Sequence, residues 1–164
     1  MGYVTREAGL DDISIITQIY NQGIEDRVAT LDADLVSENE MRDYMIGRSE
    51  GYKVLVIADE QDKVYGWASI NVFSSKCCYS GVADISIYIE RSMRGKGLGK
   101  ILLNYLIDVA KKQEFDKLVL SAFDFNEPGK RLYKSLGFRE VGTYMNHGIL
   151  DGKYVNVTIM EKLL

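Results

Sequence analysis

The sequence predicts an α/β protein of the α+β kind, a central, mostly antiparallel sheet of about seven strands with helices on both faces. Three observations lead there. Seven short runs of strand length are spread from residue 3 to residue 161. Four segments between them repeat their apolar residues at helical spacing. The runs at 53–58 and 64–73 are joined by one polar turn, and those at 138–145 and 154–161 form a closing antiparallel pair. With 164 residues, one proline, no linker and no repeat, one domain over 1–164 is expected.

Tyr3 to Arg6 is a short strand. Asp11 and Asp12 then open a helix that puts Ile13, Ile16, Ile19 and Tyr20 on one face. Residues 26–34 are irregular. Ser37 starts a second helix, and Glu40 three residues on completes a capping box. Lys53 to Ala58 is a buried strand, Glu60 to Lys63 a turn, and Val64 to Phe73 the returning strand. Val82 to Glu90 alternates cleanly, with Ile85, Ile87 and Ile89 on one face and Asp84, Ser86 and Tyr88 on the other. A glycine-rich turn leads into a helix from about 97 to 112, striped by Leu102, Leu106 and Val109. Lys117 to Ser121 is another buried strand. Asn126 caps a short helix with Pro128 in its first turn, Leu132 and Leu136 on its apolar side and Gly137 as C-terminal cap.

Composition excludes several functions. Lys plus Arg total 20 against 24 Asp plus Glu, a formal charge of −4, which is a poor footprint for nucleic acid. The two cysteines, Cys77 and Cys78, are adjacent, and the one histidine, His147, lies in the turn-like Asn146-His147-Gly148. No zinc spacing exists, no metal is expected, and a histidine-based triad is disfavoured. Neither a signal peptide nor a membrane span is legible, so a cytoplasmic protein without membrane partners is expected.

Arg94-Gly95-Lys96-Gly97-Leu98-Gly99-Lys100 stands between a strand and a helix. Glycines allow a tight turn and close backbone approach, and the helix start offers unpaired N–H groups, so the segment suits a pyrophosphate. It is no Walker A loop, since no Gly-Lys-Ser/Thr follows the spacer. A dinucleotide fingerprint would need glycine where Lys100 stands.

The pattern Arg/Gln-x-x-Gly-x-Gly/Ala does fit, and with it the segment resembles the coenzyme A loop of the GNAT acetyltransferases. Asn126 through Leu132-Tyr133 to Gly137-Phe138 resembles a second signature of that superfamily. Ile19-Tyr20-Asn21, Ala29-Thr30-Leu31-Asp32 and Asp84-Ile85-Ser86-Ile87-Tyr88-Ile89 are similar to the phosphinothricin and methionine-sulfoximine acetyltransferase branch. The resemblance implies a GNAT-like fold, acetyl-CoA as cofactor, a small amine acceptor and a homodimer. Carried over residue by residue, Ile87, Tyr88 and Ile89 hold the pantetheine as an added strand would. The N–H of Ile87 polarises the thioester carbonyl. Arg94, Gly95, Lys96, Gly97, Leu98, Gly99 and Lys100 hold the pyrophosphate, and Asn126 and Tyr133 complete the cofactor set. Asp84 is the general base where the branch has glutamate, directly or through water, and Tyr133 protonates the leaving thiolate.

The acceptor would meet Thr30, Phe73, Ser74, Lys76, Asp84, Ile85 and Ser86. The branch's basic residue after the third strand is replaced by Ser74, leaving Lys76 for an acceptor carboxylate. Beside a small-amino-acid acceptor, two alternatives stay open: transfer to protein lysines or N-termini, and a non-catalytic acyl-CoA-binding module.

Overall fold

The computed structural model describes residues 2–164. One seven-stranded sheet has the order β1-β2-β3-β4-β5-β7-β6. Its strands are β1 (Tyr3–Glu7), β2 (Val54–Asp59), β3 (Val64–Val72), β4 (Val82–Ile89), β5 (Lys117–Phe123), β6 (Arg139–Leu150) and β7 (Lys153–Leu163). Every pairing is antiparallel except β4 with β5. The helices are α1 (Ile13–Asp26), α2 (Glu38–Ile46), α3 (Leu98–Lys112) and α4 (Glu127–Ser135).

The period-two pattern decides which helix each face receives. Leu55, Ile57, Ala68, Ile70, Ala83 and Ile85 pack under Leu102, Leu103 and Leu106 of α3. On the opposite face Val54, Val56, Ala58 and Trp67 pack under Ile13, Ile16 and Ile19 of α1 and Met41 of α2. Burying side chains of this size contributes ~1.5–3 kcal/mol each, so both faces are strongly specified. The predicted capping box is formed. Ser37 Oγ accepts from Glu40 N at 3.1 Å, and Glu40 Oε2 accepts from Ser37 N at 2.7 Å.

The closing pair is longer than its composition suggests. β6 runs on past Met145, and its register against β7 slips between Tyr144 and Gly148. Asn146 takes the left-handed φ of 49° there, with its N–H on Asn156 Oδ1 at 2.8 Å. The turn-like Asn146-His147-Gly148 is therefore a bulge inside a strand, with the His147 ring stacked on Tyr144.

Candidate active site

Two cavities meet at β4, because β4 and β5 part company. Their parallel pairing covers only Val82–Asp84 against Lys117–Val119. Beyond that point the strands diverge around a gap lined by Ser86, Ile87, Tyr88, Ser121, Ala122, Phe123, Asn126 and Tyr133. Glu90 N donates to Tyr65 O on the β3 side at 2.8 Å. Alternation then turns the backbone of Tyr88 and Ser86 toward β3 and that of Ile87 and Ile89 toward the gap. The Ile89 carbonyl is met by Arg94 Nε at 3.2 Å. Ile87 therefore lines the gap with its backbone edge turned away from β3.

The gap widens into a groove of about 290 Å³ walled by Gly23, Val28 and Ala29 on one side and Asn126, Gly129, Leu132 and Tyr133 on the other. At its end lie Arg94, Gly95, Gly97, Gly99 and Lys100. Gly95 and Gly97 have φ of 73° and 88°, and a Cβ on either would meet nothing within 4 Å. Gly97 is also the N-cap of α3, so the helix start aims its free N–H groups there. The open glycine faces and the helix start fit a diphosphate.

The remaining loop residues differ from one another. Gly99 is a packing glycine, since a Cβ there would come within 3.1 Å of Leu132 Cδ2. Leu98 buries its side chain in the α3 core and can offer only its backbone. Lys96 is exposed and outside the groove lining. The Arg94 guanidinium is already paired with Asp26 at 2.6 Å, so its charge is not free as the sequence suggested. Asn126 does act as a cap, its Oδ1 accepting from Gly129 N at 3.1 Å, while its Nδ2 donates to Val28 O at 3.4 Å across the groove. The Tyr133 hydroxyl has no partner among the described residues, and burial pushes its pKa up to about 12.

On the other side of β4 is a cavity of about 650 Å³, with Asp84, Ser86 and Tyr88 in its wall. Its aromatic lining is Tyr20, Tyr44, Tyr52, Trp67 and Tyr88, and the Trp67 and Tyr88 rings lie 4.9 Å apart. Burial pushes the Asp84 carboxyl up to about 6, and the Asn71 amide pulls it the other way. Asn71 is the cross-strand partner of Asp84, and its Nδ2 donates to Ser86 Oγ at 3.3 Å. Asp32 also lines this cavity and accepts from the Tyr20 hydroxyl. Glu25 lies beside Arg91 in a separate open depression.

Several acceptor-side expectations need correction. Ile85 is 5% exposed and packs under α3, the face opposite the cavity, as its own alternation requires. Phe73, Ser74 and Lys76 do not line the cavity, whose wall ends at Val72. The Phe73 ring leans on Tyr79 at 5.5 Å, and Lys76 N is tied to Ser74 Oγ at 3.3 Å, so the loop folds on itself. Thr30 stands at the margin, its Oγ1 accepting from Asp32 N at 3.2 Å. The cation that does line the cavity is Arg48, absent from the sequence-based set.

A sheet that splits beside a helix start open to a diphosphate, with a buried carboxylate across the same strand, is an arrangement suited to an acyl-thioester-dependent transferase. The model of the acetyltransferase (GNAT) family matches residues 16–138, and the chain belongs to that family. It is an acetyltransferase that uses acetyl-CoA. The L-methionine sulfoximine/L-methionine sulfone acetyltransferase of Salmonella typhimurium is 31% identical over 157 residues, 95% of this chain and 91% of the relative. The solved phosphinothricin acetyltransferase of Sinorhizobium meliloti, in complex with acetyl-CoA, has a TM-score of 0.92 at 29% identity, covering 100% of this chain and 89% of that one. A solved ribosomal-protein-alanine N-acetyltransferase from Brucella melitensis has a TM-score of 0.94 at 28% identity, covering 98% and 99%. No helix among the described residues is long and apolar enough to cross a membrane.

Proposed function

We propose that this enzyme acetylates the primary amine of a small amino acid or amino-acid analogue of the phosphinothricin or methionine sulfoximine kind. The observation that carries the reading is the position of Asp84. It lies in the wall of the aromatic cavity, on the strand that also lines the gap at Ile87. A relative named as an L-methionine sulfoximine/L-methionine sulfone acetyltransferase supports a small acceptor of this kind.

Acetyl-CoA supplies an acyl carbon already activated as a thioester. This chain's residues do the rest. The Ile87 N–H stabilises negative charge developing on an acyl oxygen in the gap. Asp84, with its carboxyl raised to about 6, attracts an ammonium and takes its proton, directly or through a water. Tyr133 keeps its proton at neutral pH and offers it to a sulfur anion at the gap. Gly95, Gly97 and the α3 amides hold the diphosphate, with Lys100 beside them. Val141, Tyr144, Met145 and Ile149 are exposed on the edge strand β6, an apolar surface that supports the expected homodimer. Light scattering tests that state.

A thiol-release screen with acetyl-CoA against amino acids, methionine sulfoximine, methionine sulfone, polyamines and peptides tests the acceptor class. Turnover confined to the amino acids and analogues is expected, and turnover confined to peptides or polyamines overturns the reading. The Brucella neighbour is the reason peptides ending in alanine at the N-terminus belong in the screen.

The loop assignment has its own test. Gly97→Val puts a branched side chain at φ 88° in the open diphosphate space, so the acetyl-CoA KM should rise strongly. Gly99→Val meets Leu132 instead, and overpacking of this kind costs ~1–3 kcal/mol, so a lowered Tm is its leading effect. An unchanged KM in folded Gly97→Val refutes the assignment.

A further inference from the structure

Arg48 is a cation without an anion. Its Nε donates to Tyr52 O at 2.8 Å, and its Nη2 donates to the Ile70 carbonyl and to Asn71 Oδ1, the latter at 2.8 Å. Its guanidinium lies over the Tyr44 ring, 4.7 Å from the centroid. These four contacts fix the fork without neutralising it. Among the described residues no carboxylate forms an ion pair with Arg48, and of the arginines that lack one it is the one that lines the cavity. Nη1 makes no hydrogen bond within the described residues. A held, unpaired guanidinium in a cavity wall is a site for a carboxylate or phosphate.

The position of Arg48 relative to Asp84 narrows the choice. Asn71 joins the two. Its Oδ1 accepts from Arg48, and its amide neighbours Asp84, its cross-strand partner. A single amide therefore separates a fixed positive group from a carboxylate, both in the wall of one cavity. A molecule with an amine and a carboxylate on one carbon presents the complementary pair of charges. Polyamines, lysine side chains and peptide N-termini have no carboxylate beside the amine and would leave Arg48 without an anion.

We propose that Arg48 binds the acceptor's α-carboxylate and makes the enzyme selective for free α-amino acids, a role that Lys76 is too remote from the cavity to fill. The proposal rests on the small-amino-acid reading above. Asp84 meets the ammonium, Arg48 meets the carboxylate, and the acceptor side chain lies along Tyr20, Trp67 and Tyr88. Tyr44 and Asn71 are positioning residues for the guanidinium.

The test compares L-methionine sulfone with its methyl ester in the wild type, Arg48→Gln and Arg48→Lys. Hydrogen bonds to charged groups contribute enough that Arg48→Gln should lower kcat/KM for the acid by roughly 10–100-fold, mostly through KM. The ester should change by less than about 3-fold, since it has lost the charge that Arg48 reads. Arg48→Lys keeps charge without the fork and should recover part of the loss. An unchanged acetyl-CoA KM shows that each variant has folded. If Arg48→Gln does not fold, the wild-type preference for acid over ester and its reduction in Arg48→Lys decide the matter. Equal wild-type turnover of acid and ester, or an acid preference that survives in the variants, overturns the role of Arg48 and leaves the acetyltransferase reading standing. Turnover of peptides or polyamines with none of methionine sulfone, methionine sulfoximine or ordinary amino acids overturns the small-amino-acid reading itself, and this inference with it.

Discussion

Asp84→Asn should lower acceptor kcat/KM by ~10²- to 10⁴-fold near neutral pH, the usual range for loss of a general base. The wild-type profile should rise through a limb near pH 6, where burial has placed the Asp84 carboxyl. The variant should lack that limb and recover only at alkaline pH, where free amine is abundant. Stability moves the other way. The folded carboxyl titrates near 6 and the unfolded one near 3.8, so the native state binds the extra proton between those values. Wild-type stability therefore falls as pH rises through that window and stays reduced above it. At ~1.4 kcal/mol per pKa unit, and with some solvent still reaching the group, Asp84→Asn should be roughly 1–3 kcal/mol more stable than the wild type at pH 7. Near pH 3 the two should converge. Activity lost with Tm gained marks a carboxylate kept for chemistry at a folding cost. Activity and Tm lost together would reduce Asp84 to a structural residue, and Asp32, in the same cavity wall, would become the next candidate base.

The parts legible in the sequence were those set by local periodicity and capping. Alternation in 82–90 placed Asp84, Ser86 and Tyr88 on one face, and the structure opens a cavity there. Ser37 with Glu40, and Asn126 before Pro128, announced their caps, which depend on residues three apart. Ile85 shares the apolar face with Ile87 by the same alternation, and it borders the gap between β4 and β5 rather than the acceptor cavity. What remained illegible was set by tertiary contacts. Arg48 follows α2 in Gly47-Arg48-Ser49, with no local pattern around it. Its importance comes from the carbonyls of Tyr52 and Ile70 and the amide of Asn71, up to 23 residues away. Lys76 was favoured because it is near the third strand in sequence, but the loop turns away after Val72. Arg94 looked like a free cation in its motif because Asp26, its partner, lies 68 residues earlier.

Tyr133→Phe should lower kcat by ~10²-fold or more while leaving the acetyl-CoA KM nearly unchanged. The substitution removes one oxygen and keeps the ring that packs against Phe138 at 5.9 Å. Nothing among the described residues accepts that hydroxyl's proton or donates to it, and a half-buried polar group left without a partner does not contribute to folding. Its loss should therefore leave Tm unchanged or raise it slightly. Burial holds the phenol near 12, so Tyr133 stays protonated through the neutral range and should produce no limb below about pH 10 in the wild-type profile. The acidic limb near 6 belongs to Asp84 and must persist in Tyr133→Phe, at lower amplitude. The two groups lie on opposite sides of the β4 edge and act on different protons, one leaving the amine and one reaching the sulfur. With an acetyl donor thioester whose thiol is more acidic than that of coenzyme A, the departing sulfur needs less help, and the Tyr133→Phe defect should shrink while the Asp84→Asn defect does not. Full activity in Tyr133→Phe, or a defect indifferent to the leaving thiol, would make Tyr133 a packing residue of α4 and leave the sulfur to be protonated by water.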